Sequence, residues 1–324
     1  MRIIDGELVR RLLPMNECIE VMEPAMLAAS AGTATIPPRQ FSAIGDGPEL
    51  FGMMPGTAPE LGSYGAKVIS LHPANPGAGL PAIQGFVALF DYHNGAPLAL
   101  LEGAAITAIR TAAASGLATR ELAPPDAASC GIFGTGVQAI THIDAMCAVR
   151  PVSEIRVWAR DHGKAVDFAA GQAERTGLDV CAVADPAEAA ACALLCTVTG
   201  ASEPILQSNW VQPGSHINLV GAHTLNSREA DSALIARSAV YVDLLESAHN
   251  EAGDVMIPIH EGLVGPAHII GEIGQLLAGT ISGRREAGQI TIYKSLGITA
   301  QDLYAADYVY QRALAEDSGQ VVQL

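Results

Sequence analysis

The segment of this sequence that most restricts the fold is the glycine-rich turn Gly134–Ala139. The apolar stretch 128–133 runs directly into it, and a helical spacing of apolar residues follows. Gly134 permits a tight turn, Gly136 lets a pyrophosphate approach the backbone, and Ala139 lets the helix pack on the strand. The helix start also presents N–H groups and a positive dipole end to phosphates. The segment therefore predicts a Rossmann-type dinucleotide site. Its predicted cofactor contacts are Gly134, Thr135, Gly136, Val137 and Gln138.

The chain before this turn has the pattern of a different kind of domain. Residues 7–31 have helical spacing, with Pro14 suited to the start of a second helix. From 36 to 101, short apolar runs are broken by Gly, Pro and Asn, and 92–96 is typical of a hairpin turn. These features predict a mostly antiparallel sheet, followed by a helix over 104–122.

The chain after the turn alternates strands and helices from 129 to 243, which indicates a parallel sheet with helices on both faces. A strand over 290–295 and a helix from about 299 to 316 are expected near the end of the chain, which returns to the first domain there.

These patterns together predict an α/β protein in which one domain is inserted into another. The Rossmann-type doubly wound sheet takes residues 124–297, because the breaker residues 123–126 mark a domain crossing. The strand-rich α+β domain takes residues 1–123 and is completed by 298–324.

The balance of charge narrows the possible partners. The chain carries 18 Lys and Arg against 34 Asp and Glu, a formal net charge of −16. Such a surface repels phosphate backbones and anionic membranes, so neither nucleic acid nor a membrane is an expected partner. The few basic residues that occur in predicted clefts therefore become candidates for binding a small anion.

The cysteines and the chain start bear on location. The six cysteines form no metal-binding pattern and most lie in apolar runs, which favours buried, reduced thiols and no metal site. Charged residues interrupt any signal-peptide pattern at the start, and no apolar run reaches the ~20 residues of a membrane span. A cytoplasmic location is expected.

The end of the second predicted Rossmann strand indicates which dinucleotide fits. A site for NAD usually has an acidic residue there, which binds the ribose hydroxyls. This chain has Ala159 and Arg160 there, with Asp161 only after them. Since a guanidinium pairs well with a phosphate, Arg160 favours NADP(H), with NAD(H) as the alternative.

Several segments together resemble the ornithine cyclodeaminase/mu-crystallin family, and they span the whole chain in order. They are Pro37–Arg39, Gly65–Lys67, Thr107–Ser115, the glycine turn, Pro213–Ile217, Val220–Ala222, Arg228–Asp231, Gly271–Gly274, Lys294–Gly297 and Gln301–Asp302. The resemblance implies a homodimer that acts on a small imino or amino acid beside a nicotinamide. It also implies that the strand-rich domain, 1–123 with 298–324, binds substrate and dimerises through its β-strands.

The resemblance also implies roles for single residues. Arg39 and Arg110 match the family's carboxylate-binding positions, and Lys67 matches its catalytic lysine, which also contacts substrate. A lysine beside two arginines and an apolar wall has a lowered pKa and can give a proton to the reacting nitrogen. Further cofactor contacts are expected at Thr111, Thr197, Val198, Thr199 and Ser295.

The chain departs from the family pattern at two places. Family members that cyclise ornithine or oxidise alanine have an Asp after Val-Gly-Ala, whereas this chain has His223. His223 either takes part in proton transfer or only contacts the cofactor. At 82–84 the chain reads Ala-Ile-Gln where family members often have Thr-His-Gln, so a hydroxyl that could contact the cofactor phosphate is missing.

The favoured function is therefore the NAD(P)H-dependent reduction of a small ketimine, such as Δ1-pyrroline-2-carboxylate, to the L-amino acid. An amino-acid dehydrogenase of the alanine type is the first alternative. An ornithine cyclodeaminase-type lyase is disfavoured by His223, and a non-catalytic ligand-binding protein is disfavoured by Lys67 and Arg110.

Overall fold

The computed structural model describes residues 1–323. Backbone contacts group them into two compact units, one of residues 1–111 with the chain from Gly297 onward and one of residues 112–296. The sequence predicts a boundary between the two domains after Ala123, and this boundary stays a prediction. The breaker residues 123–126 mark the end of the helix Gly103–Leu122, whereas the backbone contacts divide the chain within that helix, between Thr111 and Ala112.

The first part of the chain builds a sheet with three helices. Its elements are β1 (Arg2–Ile4), α1 (Gly6–Leu12), α2 (Met15–Ala31), β2 (Gln40–Ala43), β3 (Leu50–Ala58), β4 (Ser63–Leu71), β5 (Ile83–Asp91), β6 (Pro97–Glu102) and α3 (Gly103–Leu122), with 3-10 turns at Pro59–Leu61 and Asn75–Ala78. As expected, Pro14 directly precedes the longer helix α2, and the turn 92–96 joins β5 to β6.

The middle of the chain alternates strands and helices. Its elements are β7 (Ser129–Phe133), α4 (Val137–Val149), β8 (Glu154–Trp158), α5 (His162–Thr176), β9 (Asp179–Ala182), α6 (Pro186–Ala190), β10 (Leu194–Thr197), β11 (His216–Leu219), α7 (Ser232–Ala236), β12 (Ser238–Val242), α8 (Leu245–Glu251), α9 (Gly253–His260), β13 (Ile269–Glu272), α10 (Ile273–Leu277) and β14 (Ile290–Lys294), with 3-10 turns at Ser208–Trp210 and Pro266–His268. The chain closes with α11 (Thr299–Ala315) and β15 (Gln320–Val321).

Two sheets organise these elements. Among the described residues, seven strands form the first in the order β15-β1-β6-β5-β4-β3-β2, which is antiparallel except between β1 and β6. Eight parallel strands form the second in the order β13-β12-β14-β11-β10-β7-β8-β9. This order reverses between β7 and β10, the switch point at which Rossmann-type sheets bind dinucleotides. The predicted fold class is confirmed.

The strand near the end of the chain belongs to the parallel sheet. β14 lies between β11 and β12 there, and only the chain after it returns to the first unit. The helix α11 does belong to the first unit, where it packs on α2 and on β3, β4 and β5. The place of β14 between β11 and β12 is not apparent from its sequence, because an isolated apolar strand of five residues does not reveal which strands it joins.

Local sequence explains where the helices next to the functional residues begin. The carboxylate of Glu102 accepts hydrogen bonds from the N–H groups of Ala104 and Ala105 at 2.9 and 2.7 Å, which satisfies the first turn of α3. Asp161 caps α5 by accepting from the N–H of Lys164 at 3.2 Å.

The apolar core of the second unit lies between its sheet and helices, with Phe133, Leu195, Ile217 and Val240 fully buried.

The structure also bears on the thiols and on membranes. All six cysteines are free, and four are buried, but Cys181 is exposed on β9, the edge strand of the parallel sheet. The expectation of a buried thiol was wrong there. Side chains alternate between the two faces of a strand, and the face of β9 that carries Cys181 is open to solvent, whereas Val180 on the opposite face is buried. Within residues 1–323 no helix is long and apolar enough to cross a membrane.

Candidate functional site

Lys67 lies on the central part of the antiparallel sheet, on the face that α11 covers. In the strand register it stands opposite Met54 on β3 and Val87 on β5. All three residues are buried, and Lys67 is only 2% exposed. A buried ammonium between apolar neighbours needs a partner of opposite charge, since burial of an unpaired charge is costly.

The partner of Lys67 is Asp302 in the first turns of α11. The Nζ of Lys67 lies 2.8 Å from Oδ2 and 3.0 Å from Oδ1 of Asp302. Arg110 on α3 donates from Nε to the same Oδ1 at 2.9 Å and from Nη1 to Oε1 of Gln301 at 2.7 Å. One buried carboxylate therefore orients both the lysine and the arginine.

A tight turn before α11 completes this cluster. Arg39 donates from Nη2 to the carbonyl oxygen of Gly297 at 2.8 Å. Gly297 has a φ of +77°, and a Cβ there would lie 2.4 Å from Nη1 of Arg110. Only glycine therefore allows both the left-handed turn and the close approach of the guanidinium. We call Arg39, Lys67, Arg110 and Asp302 the basic cluster.

The electrostatics of the basic cluster suit a proton donor beside an anion site. Burial and the neighbouring Arg110 lower the pKa of Lys67 to about 8, although Asp302 opposes them. Burial alone would raise the pKa of Asp302, but the charges of Arg110 and Lys67 hold it below its usual value. With three cations to one carboxylate, the cluster keeps an excess of positive charge that can bind the carboxylate of a small molecule.

The glycine turn lines a cleft in the second unit. The cleft has a volume of about 440 Å³. Its lining residues are Gly134, Thr135, Gly136, Trp158, Ala159, Arg160, Asp161, Lys164, Val198, Thr199, Gly200, Ala201 and Ile205. The N–H of Gly134 bonds to the carbonyl of Trp158 at 2.9 Å, and the N–H of Val198 bonds to that of Phe133 at 2.9 Å. These bonds tie the ends of β7, β8 and β10 together around the cleft.

The residues of this cleft fit a nicotinamide dinucleotide. Gly134 has a φ of +122°, and a Cβ there would lie 2.9 Å from the carbonyl oxygen of Val198. A Cβ on Gly136 would meet no atom within 4 Å, so the backbone is open to an approaching phosphate. At the end of β14, Ser295 is 2% exposed, and its hydroxyl has no hydrogen-bond partner within residues 1–323. A buried hydroxyl of this kind suits a polar group of a bound ligand.

Two cations lie where the second strand of the cleft ends. Arg160 follows β8, and Lys164 lies in the first turn of α5. Both are exposed and line the cleft, and neither forms an ion pair in the described part of the chain. Asp161 also lines the cleft, but its Oδ1 is occupied as the cap of α5.

The remaining predicted residues have different settings. Thr197 is fully buried and does not line the cleft, whereas Val198 and Thr199 do. Val137 is 64% exposed at the start of α4, as a residue that contacts a ligand would be. Gln138 is half-buried, and its Oε1 has no hydrogen-bond partner among residues 1–323. Thr111 is buried in α3, next to Arg110.

His223 lies in the turn that follows β11. It is exposed, and its Nδ1 lies 3.1 Å from the carbonyl oxygen of Gly221. Contact with this carbonyl favours a proton on Nδ1, so Nε2 is the acceptor atom of the neutral ring. The ring can therefore serve either of the two roles expected from the sequence.

A comparison with models of protein families matches residues 4–317 to the ornithine cyclodeaminase/mu-crystallin family. The chain belongs to this family. It is 36% identical over 325 residues to a Delta(1)-pyrroline-2-carboxylate reductase of Bacillus cereus, covering 100% of both chains. The resemblance inferred from the sequence motifs is confirmed.

Solved structures of family members agree over the whole chain. The Delta(1)-pyrroline-2-carboxylate reductase of Thermococcus litoralis, in complex with NADH and L-proline, matches with a TM-score of 0.96 and 36% identity over 99% of this chain and 100% of that chain. A dimeric archaeal alanine dehydrogenase with bound NAD matches with a TM-score of 0.93 and 29% identity over 100% of this chain and 99% of that chain.

The sequence analysis assigned no role to three residues that the structure places at or beside the predicted sites. Gln301-Asp302 contributed to the resemblance, but only the structure pairs Asp302 with Lys67 and Arg110. Lys164 had a detectable signal, a second cation one helical turn after Arg160. Glu229 lay in another matched segment, and the structure places it, fully buried, beside Thr197 and Thr199.

Proposed function

We propose that this chain is an NAD(P)H-dependent reductase that converts a small imino acid, such as Δ1-pyrroline-2-carboxylate, into the L-amino acid. The observation that carries the proposal is the buried lysine of the basic cluster, held by Asp302 at 2.8 Å beside Arg110. An imino acid offers both groups that such a cluster suits, a carboxylate and a nitrogen that must gain a proton. The B. cereus and T. litoralis reductases, at 36% identity, support the choice of substrate.

Each side chain of the basic cluster has a part in this reaction. Arg39 and Arg110 bind the substrate carboxylate and thereby orient the imine. A bound reduced nicotinamide supplies a hydride to the imine carbon. Lys67 gives a proton to the nitrogen as the C=N double bond becomes single. Asp302 holds Lys67 in place, and the substrate carboxylate raises the protonated fraction of the lysine by its charge.

Replacement of the lysine tests this function directly. With Δ1-pyrroline-2-carboxylate and NADPH, the wild type should consume NADPH and form proline. Lys67→Met keeps an unbranched side chain as far as the Cε position but removes the ammonium that donates the proton, so kcat should fall by about 10²–10⁴-fold. Binding of NADPH should persist, because the cleft is lined by residues between 134 and 205. A wild type that binds NADPH but reduces no imino acid would refute the proposal.

The preferred cofactor is proposed to be NADP(H). Arg160 and Lys164 line the cleft near the end of β8, where a 2′-phosphate would need cations. The carboxylate of Asp161 is engaged by the N–H of Lys164, which reduces its capacity to bind ribose hydroxyls. NAD(H) remains the alternative, since the T. litoralis reductase was solved with NADH.

A dehydrogenase acting on an amino acid such as alanine is the second candidate. The archaeal alanine dehydrogenase supports it by its likeness over the whole chain. Pyruvate with ammonia as substrates separates the two, because an imine reductase needs a preformed imine. Ornithine cyclisation requires a group that handles a second amine, and His223 in place of an Asp disfavours it. Proline and ammonia formed from ornithine would establish the lyase.

We propose that the chain is located in the cytoplasm. We also propose that its partner is a second copy of the same chain. On the face of the antiparallel sheet away from Lys67, Met53, Val68 and Phe86 stand side by side in the strand register. Met53 and Phe86 are 36% and 40% exposed, and Phe51 on the same face is 47% exposed. Exposed apolar patches mark interaction surfaces, and the alanine dehydrogenase is a dimer. Light scattering from the purified chain should give twice the monomer mass; a monomer would contradict the proposal.

A further inference from the structure

A buried carboxylate that the reaction itself does not use lies behind two loops of the second unit. Glu229 is fully buried between β11 and α7. Its Oε2 accepts from Oγ1 of Thr197 and from the N–H of Gly221, both at 2.7 Å. Its Oε1 accepts from the N–H of Thr199 at 2.9 Å and from the hydroxyl of the same residue at 2.7 Å. One side chain thus joins the loops that follow the neighbouring strands β10 and β11.

The donors around Glu229 require a carboxylate. Two of them are backbone N–H groups, which cannot accept a hydrogen bond, and both oxygens receive one of these. A glutamine at this position would set its own NH₂ group against an N–H donor. Because the hydroxyls of Thr197 and Thr199 are also directed to Glu229, they serve this network.

A second buried carboxylate holds Glu229 in place. Asp254 accepts at Oδ1 from the N–H groups of Glu229 and Ala230 at 2.7 and 3.0 Å. Its Oδ2 lies 2.9 Å from Nζ of Lys294, which also donates to the carbonyl oxygen of Ala222 at 2.5 Å. Asp254 and Lys294 are both fully buried. The network therefore extends from β10 through β11 to the end of β14.

The turn that carries His223 is held closely by these groups. A Cβ on Gly221 would lie 2.1 Å from the carbonyl oxygen of Thr199 and 2.6 Å from Oε1 of Glu229. The two loops are therefore in direct contact at a position where only glycine fits. The N–H of Gly221 and the carbonyl of Ala222 are both bound by the network, immediately before His223.

We propose that Glu229 is a positioning residue for the nicotinamide half of the cofactor. It fixes the loop 198–201, which lines the cleft, relative to the turn that carries His223. In Rossmann-type sheets the adenosine half lies on the β7–β8 side of the switch point and the nicotinamide half on the β10–β11 side. Loss of the Glu229 carboxylate should therefore affect the nicotinamide half and leave the adenosine half in place. This inference rests on the proposed function, since it requires a bound nicotinamide dinucleotide.

The test compares the whole cofactor with its adenosine half. Glu229→Gln is measured for affinity to the reduced dinucleotide that the wild type prefers, for affinity to the matching ADP-ribose fragment, and for kcat. We expect the fragment to bind within about twofold of wild type, the dinucleotide to bind at least about tenfold more weakly, and kcat to fall by about 10²-fold. Equal weakening of fragment and dinucleotide, or an unchanged kcat, would overturn the inference.

Two further variants complete the experiment. Glu261→Gln is the matched control, because Glu261 is an exposed carboxylate that bonds to Arg228 and Ser232 and does not reach either loop. It should behave as wild type. Thr197→Val removes one hydrogen bond to Glu229 without changing the shape of the side chain, and carries the test if Glu229→Gln fails to fold. A smaller loss with the same split supports the inference, and wild-type values contradict it.

The outcomes also separate this inference from the proposed function. If the wild type binds neither NADPH nor NADH, the proposed function fails and the inference fails with it. If the wild type binds and turns over an imino acid while Glu229→Gln matches it in every measurement, only the positioning role is wrong.

Discussion

The ammonium of Lys67 lies within 3.0 Å of both carboxylate oxygens of Asp302, and neither side chain is reached by bulk solvent to any extent. Asp302 also accepts from Arg110, so a single negative charge is shared by two cations. Because burial and Arg110 outweigh this one carboxylate, the pKa of Lys67 falls to about 8. The lysine is therefore mostly protonated near neutral pH, yet can release its proton readily.

The first prediction concerns pH. A proton donor with a pKa of about 8 loses its proton above that value, so kcat/KM for imine reduction should decline as the pH rises through about 8. Oxidation of the amino acid needs the neutral amine as acceptor and should rise over the same range. Initial rates in both directions between about pH 6 and 10 measure the two limbs. A reduction profile that is flat across this range would contradict a proton from Lys67.

The second prediction concerns the counter-ion. Asp302 raises the pKa of Lys67, so Asp302→Asn should move the alkaline limb of kcat/KM to lower pH, by at least about one unit. Asp307→Asn is the matched control, because this carboxylate lies on the same helix and bonds to Gln311 instead. It should leave the limb in place. A limb that is the same in both variants would mean that Asp302 does not control the lysine.

The third prediction concerns the turn at Gly297. Gly297→Ala introduces a Cβ 2.4 Å from Nη1 of Arg110 and so displaces the guanidinium that we propose as the partner of the substrate carboxylate. We expect a rise of about tenfold or more in KM for the imino acid. Gly32→Ala is the control, since Gly32 has a similar φ of +70° but no atom within 4 Å of an added Cβ. Both variants should lose about 1–2 kcal/mol of stability from the left-handed backbone. A KM that changes equally in the two would exclude a specific effect on Arg110.

The fourth prediction concerns cofactor choice. Arg160→Ala and Lys164→Ala should each weaken NADPH binding by about 10-fold or more while leaving NADH within about threefold, because a charged hydrogen bond to phosphate contributes about 1.5–3 kcal/mol. Arg156→Ala serves as the control. Arg156 lies on β8, the strand before Arg160, where it pairs with Glu154 and does not line the cleft. Equal weakening of both cofactors by a cleft variant would argue against a 2′-phosphate site.

Local features of the fold could be predicted well from the sequence. The turn at Gly134, the helix after it and the alternation of strands and helices depend on residues close together in the chain. The sequence predicts a strand over 129–133 and a helix over 136–149, and the structure has β7 over Ser129–Phe133 and α4 over Val137–Val149. The position of β14 between β11 and β12 could not be predicted in this way. A strand joins a sheet through hydrogen bonds to distant strands, and its own residues do not specify them.

For the functional residues too, local sequence predicts some features, and others depend on residues that are distant in the chain. The sequence alone predicts that Lys67, Arg39 and Arg110 bind substrate, because the segments that contain them match the family's motifs. What they contact was decided only by the tertiary structure. Asp302 lies 235 residues after Lys67, and Glu229 lies 32 residues after Thr197, so both pairs form only once separate elements have packed. A buried charge is stable only with a partner, and the complete fold determines which partner it meets.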